Sequence, residues 1–94
     1  MAVKIIIKRI VPEEKAKYLT PLLKQLRAFA TNQSGYISGE TLKRIDNPGE
    51  YLVISTWQSA EDWDRWILSD ERKAVQDKID ILLGKKTEYE VYTY

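Results

Sequence analysis

The chain has no cysteine and no histidine among its 94 residues. The first absence excludes disulfides, zinc-thiolate sites, iron–sulfur clusters and cysteine nucleophiles. The second removes the commonest metal ligand, the proximal imidazole of haem proteins and the usual general base. Long hydrophobic runs are missing too. The opening MAVKIIIKRIV is too short and too interrupted by lysine for a signal peptide or a bilayer span, which implies a cytoplasmic protein without a membrane partner. Nor is there an excess of one charge. Fifteen Lys/Arg against fourteen Asp/Glu leave a net +1, giving no reason to expect a nucleic-acid partner.

What is present fits one globular domain, residues 1–94, large enough for a single modest core. Residues 1–47 carry nine Lys/Arg against four Asp/Glu, and residues 48–94 carry six against ten. Opposite charge in the two halves suggests that they interleave in space.

In VKIIIKRIV, residues 3–11, Val3, Ile5 and Ile7 share one face of a strand, and Lys4, Ile6, Lys8 and Ile10 share the other. Pro12-Glu13-Glu14 reads as a helix start, and the stripe Leu19, Leu22, Leu23, Leu26, Phe29 and Ala30 carries the helix to about Thr31. Pro21 falls inside it and predicts a bend, or a restart with Thr20 as N-cap. YISGETLKRI is a second strand with a bulge expected at Gly39, and Asp46-Asn47-Pro48-Gly49 turns it into a third, YLVISTW. Ser59-Ala60-Glu61-Asp62 opens a short helix on which Trp63, Trp66 and Ile67 share a face. Ser69-Asp70 caps a further helix or turn, Gly84 closes the stripe Val75, Ile79, Leu82 and Leu83, and TEYEVYTY alternates as a last strand.

The order β-α-β-β-α-β predicts an α+β, ferredoxin-like fold: an antiparallel four-stranded sheet with its helices on one face. YLVISTW is apolar on both faces, yet helices cover one face only. A second copy of the chain, packed sheet to sheet, is the economical cover, so a homodimer is expected.

All three tryptophans lie in ISTWQSAEDWDRWILSDERKA, at positions 57, 63 and 66. With the topology and the size, this run (strand, Trp, Ser-x-Glu, aromatic, x-x-Trp, x-x-Ser) resembles the antibiotic biosynthesis monooxygenase family of dimeric α/β-barrel proteins. The resemblance implies a pocket between sheet and helices in each protomer. Some members of the family oxygenate quinols and anthrones without metal or flavin, and others cleave haem. The haem-cleaving branch uses an asparagine on the first strand, a tryptophan on the short helix and an iron-ligating histidine. The matching positions here are Lys8, Trp66 and Gln76. Glutamine is no haem ligand and no histidine replaces it, so the resemblance points to the branch without a cofactor.

Under that reading Trp66 and Lys8 are the candidate catalytic residues. Trp66 stacks on a flat substrate and donates its N–H, or else packs into the core. Lys8 holds an enolate or acts as a desolvated base, or else snorkels at the surface. Tyr36, Tyr51, Arg72 and Gln76 are the candidate substrate-binding residues, each with an ordinary surface or interface role as its alternative. Trp57 and Trp63 read as structural.

The expected function is cofactor-independent oxygenation of a small aromatic or quinol. The alternative is a dimer that binds a small hydrophobic molecule without turnover, which the missing histidine favours. RNA recognition on this topology needs stacking aromatics on the first and third strands near a Gly-rich basic segment, and the chain has no such segment.

Overall fold

In the computed structural model, which describes residues 1–94, Val3–Ile10 forms the first strand, β1. Val3, Ile5, Ile7 and Arg9 are buried on one face, while Lys4, Ile6, Lys8 and Ile10 are the less covered set, as a strand roofed on one side requires. Helix α1 (Glu13–Thr31) follows, then β2 (Tyr36–Lys43), β3 (Glu50–Trp57), α2 (Ala60–Ile67), α3 (Asp70–Leu83) and β4 (Glu90–Thr93). The strands pair antiparallel in the order β2-β3-β1-β4. This is the ferredoxin-like α+β arrangement with its second helical region split in two. β1, from the basic half of the chain, lies between β3 and β4 from the acidic half, so the halves do interleave.

The helix ends follow their local chemistry. Ser59 Oγ accepts the Asp62 backbone N–H at 3.1 Å and starts α2; Ser69 Oγ accepts that of Arg72 at 3.2 Å and starts α3. Gly84 stops α3 with φ 67°, the left-handed conformation that favours glycine there.

Three local expectations need correction. α1 runs through Pro21 without a break, and Thr20 is no cap: its hydroxyl donates back to the Ala16 carbonyl at 2.9 Å. Lys17 and Pro21 are both exposed, so the carbonyl left without an amide partner lies on the wet side, where water replaces the lost bond. The irregularity in β2 falls between Tyr36 and Ser38 rather than at Gly39. The last strand is shorter than the alternation of TEYEVYTY implies, because Thr87 and Tyr89 turn toward α3 instead of pairing.

Two apolar clusters hold sheet and helices together. One contains Val3, Ile5, Ile7 and all three tryptophans. The other contains Val11, Leu19, Val75 and Ile79. Leu26 and Phe29 of α1 pack against both. Arg9, buried on the same face of β1, lies in sequence between Ile7 of the first cluster and Val11 of the second.

Candidate functional site

Between the helix-covered face of the sheet and the helices lies a cavity of about 240 Å³. Its aromatic side is Trp57, Trp63, Trp66 and Tyr36. Trp57 is the hub: it stacks on Trp66 (centroids 6.1 Å, planes 24° apart) and meets Tyr36 and Trp63 edge-on at 5.4 and 5.7 Å, geometries that the ring quadrupoles favour. Trp57 uses its indole N–H on Ser55 Oγ at 3.2 Å, whereas Trp66 makes no such bond within the chain. The spacing that places Trp63 and Trp66 here is one helical turn on α2, anchored by the Ser59 cap.

The rest of the lining includes buried polar groups. The chain has three buried polar or charged side chains, Arg9, Arg72 and Gln76, and all three line this cavity. Arg72 Nη1 donates to the Ile67 carbonyl at 3.0 Å, its Nη2 donates to the Tyr89 hydroxyl, and its guanidinium lies 5.0 Å from the Tyr89 ring centroid. That hydroxyl in turn donates to Gln76 Oε1 at 3.1 Å. Gln76 Nε2 donates to Asp80 Oδ1 (2.9 Å) and Thr87 Oγ1 (2.7 Å). Thr87 Oγ1 also accepts from Arg9 Nη1 at 3.1 Å and donates to Asp80 Oδ1 at 2.7 Å, which uses its one hydrogen and both lone pairs.

Neither guanidinium has a carboxylate at ion-pair distance. The chain's ion pairs are Arg44–Asp46, Arg44–Glu50 and Arg65–Asp62. Arg9 reaches Asp80 through Thr87, and its Nε–H has no hydrogen-bond partner at all. Removing an ion from water costs on the order of several kcal/mol without a close counter-charge. Burial accordingly pulls the Arg9 guanidinium below its ordinary value, against the opposing pull of Tyr89 and Asp80, while neighbouring Arg72 lowers it further. Burial pushes the Tyr89 phenol up from its ordinary value, with Arg72 and Arg9 opposing. The cavity therefore carries excess positive charge beside an aromatic wall. No three His, Cys, Asp or Glu side chains come together as a metal-holding group.

The structure brings together four of the six residues singled out from the sequence: Trp66, Tyr36, Arg72 and Gln76. Lys8 is not among them. It is exposed on the helix-free face, because even-numbered β1 side chains point away from the helices. Tyr51 lines a neighbouring depression with Val11, Leu19 and Lys43. Trp57 and Trp63, read as structural, are buried in the core and also line the cavity. Arg9 and Tyr89 also line the cavity and are not among the six; the alternation of TEYEVYTY reads Tyr89 as an interface residue of the last strand, and the structure turns it inward. Arg9 shares the parity of Val3, Ile5 and Ile7, and that was the available signal.

The family model described as antibiotic biosynthesis monooxygenase matches residues 1–78, from β1 into the middle of α3. The chain belongs to this family. Asp80, Thr87 and Tyr89 lie beyond the matched residues. No curated protein matches the chain. Among solved structures, a conserved protein from Methanosarcina mazei Go1 is similar at 25% identity and TM-score 0.88, covering 98% of this chain and 91% of that one. A mutant form of SnoaB, a cofactor-independent oxygenase from Streptomyces nogalater, is similar at 17% identity and TM-score 0.85, covering 99% and 92%. Rv0793 from Mycobacterium tuberculosis is similar at 17% identity and TM-score 0.86, covering 100% and 95%. At such identities the last two likenesses concern the fold.

Proposed function

We propose that residues 1–94 act as one domain of a cofactor-independent monooxygenase for a small aromatic or quinol substrate. The observation that carries this reading is that the chain's three buried polar side chains line the same cavity as three indoles and a tyrosine. A flat, electron-rich ring fits the indoles, and the anion it forms on losing a proton fits the guanidinium side. For an anthrone-like substrate, the anion adds dioxygen at its carbon, and the resulting hydroperoxide loses water to leave a carbonyl. The CH2 group thereby becomes C=O, with one oxygen atom kept and the other released as water. Trp66 is the candidate to cover the ring and donate N–H to its oxygen. Tyr36, Arg72 and Gln76 are the candidate binding residues in the cavity.

The alternative is a binding protein without turnover. It draws support from the lack of a free buried carboxylate inside. Glu40, the one acidic residue of the cavity lining, is exposed and shares the face of its pair partner Ile54, away from the helices. Asp80 Oδ1 already accepts three hydrogen bonds. Oxygen uptake with a panel of anthrones and naphthoquinols separates the two readings. Substrate-dependent uptake that falls in Trp66→Phe is expected; uptake absent across the panel removes the oxygenase reading.

The same proposal includes a homodimer in the cytoplasm. The helix-free face supports the dimer: Ile10, Leu42 and Tyr92 are exposed there, and Ile6, Leu52 and Ile54 are incompletely covered. Such a face is suited to packing against its own copy. No helix is long and apolar enough to cross a membrane.

A further inference from the structure

We propose that the substrate carries a carboxylate, held by the free edge of the Arg9 guanidinium, so that the cavity selects an aromatic acid of one or two rings. The inference rests on the reading of this cavity as an aromatic-substrate site and adds the substrate's anchoring group.

Arg9 is 5% exposed and lines the cavity, with Nη1 committed to Thr87 and Nε without a partner. The unused edge of its fork, Nε with Nη2, carries two parallel N–H groups that no atom of the chain accepts; Nε has almost no accessible surface, so a ligand meets the whole edge as the side chain turns toward the cavity. Two coplanar oxygens match that edge, and a carboxylate supplies them; a phenolate or a neutral amide supplies one. No carboxylate of the chain takes the position. Asp80 is held away by its bonds to Gln76 and Thr87. One nearby carboxylate against two buried guanidiniums also leaves a charge that an incoming anion neutralises. Size limits the rest of the ligand. At about 240 Å³ the cavity falls below the roughly 300 Å³ at which pockets for drug-sized molecules begin.

The test compares naphthoate, its neutral isostere naphthamide, and acetate by isothermal titration calorimetry on the full chain, with indole fluorescence as a second readout. Naphthoate is expected to bind tighter than naphthamide by about 10-fold or more, and acetate alone is expected not to bind. Arg9→Gln, checked for folding by circular dichroism, is expected to abolish the preference, and Arg9→Lys, which keeps the charge without the fork, to lose most of it. Equal binding of naphthoate and naphthamide, acetate as tight as naphthoate, or a folded Arg9→Gln that keeps the preference overturns the proposal. Where both variants fail to fold, the wild-type comparison decides. Carboxylate selectivity without oxygen uptake by any quinol removes the oxygenase reading and upholds this one. Quinol oxidation indifferent to a ring carboxylate does the reverse.

Discussion

A β-carbon on Gly39 would stand 2.6 Å from the hydroxyl oxygen of Tyr36, so the glycine is the space in which that hydroxyl lies. The β2 irregularity between Tyr36 and Ser38 puts Tyr36 opposite Trp57 and Gly39 opposite Ser55, and all four line the cavity. Gly39→Ala should therefore displace the Tyr36 ring from its edge contact with Trp57 and destabilise the chain by about 1–3 kcal/mol. A double-mutant cycle with Tyr36→Ala, read by urea unfolding, checks this: the cost of the added methyl should largely vanish once the phenol is gone. An equal cost in both backgrounds would place the strain elsewhere.

Trp57 and Trp66 differ in what their loss should do. Trp57 is 1% exposed, touches three other aromatic rings and is bonded to Ser55. Trp57→Ala should cost about 3–5 kcal/mol, whereas Trp66→Phe keeps a ring in place and should weaken binding of a flat aromatic ligand more than it weakens the fold. Urea unfolding and ligand titration on the same preparations give both quantities. The assignment of Trp66 to the cavity wall fails if its variant loses stability with unchanged affinity.

Tyr89 predicts an alkaline limit. Burial raises its phenol above the ordinary value of 10.0, so the folded state favours the protonated form. A raised value in the folded state contributes stability below the unfolded value, and that contribution is lost as pH rises through the folded one. Tyr89→Phe leaves Gln76 Oε1 and Arg72 Nη2 without their partner and should cost about 1–3 kcal/mol at neutral pH. The gap to wild type should then narrow above pH 10. Unfolding free energies across that range, with Tyr92→Phe as an exposed control, measure the effect.

The fold was legible because its signals are local. Two serine caps, a left-handed Gly84 and period-two strands each stand in a few adjacent residues. The aromatic half of the cavity was half legible: the spacing of Trp63 and Trp66 gives a shared face, but whether that face meets core or hollow depends on α1, which is far away in sequence. The cationic half was hidden for a physical reason. Lys8 came from the resemblance, whereas Arg9 shares the more apolar face of β1 with Val3, Ile5 and Ile7. Arginine is so seldom buried that this parity alone does not single it out. Pro21 misled because breaking a helix depends on whether the freed carbonyl can reach water, and along an exposed turn it does.

The helix-free face carries the last prediction. β1 and β3 pair Ile6 with Ile54 and Lys8 with Leu52, so an aliphatic patch at the centre of the sheet is rimmed by Lys4, Lys8, Glu40 and Glu90, charges of both signs. A twofold partner can meet that pattern with apolar centre on apolar centre and acid opposite base. Ile54→Asp adds a charge to the patch without touching the cavity, since even-numbered β3 residues face away from it. Sedimentation equilibrium should show a wild-type dimer at micromolar protein and an Ile54→Asp monomer with unchanged far-ultraviolet circular dichroism. A wild-type monomer at that concentration would leave the apolar sheet face without its proposed cover.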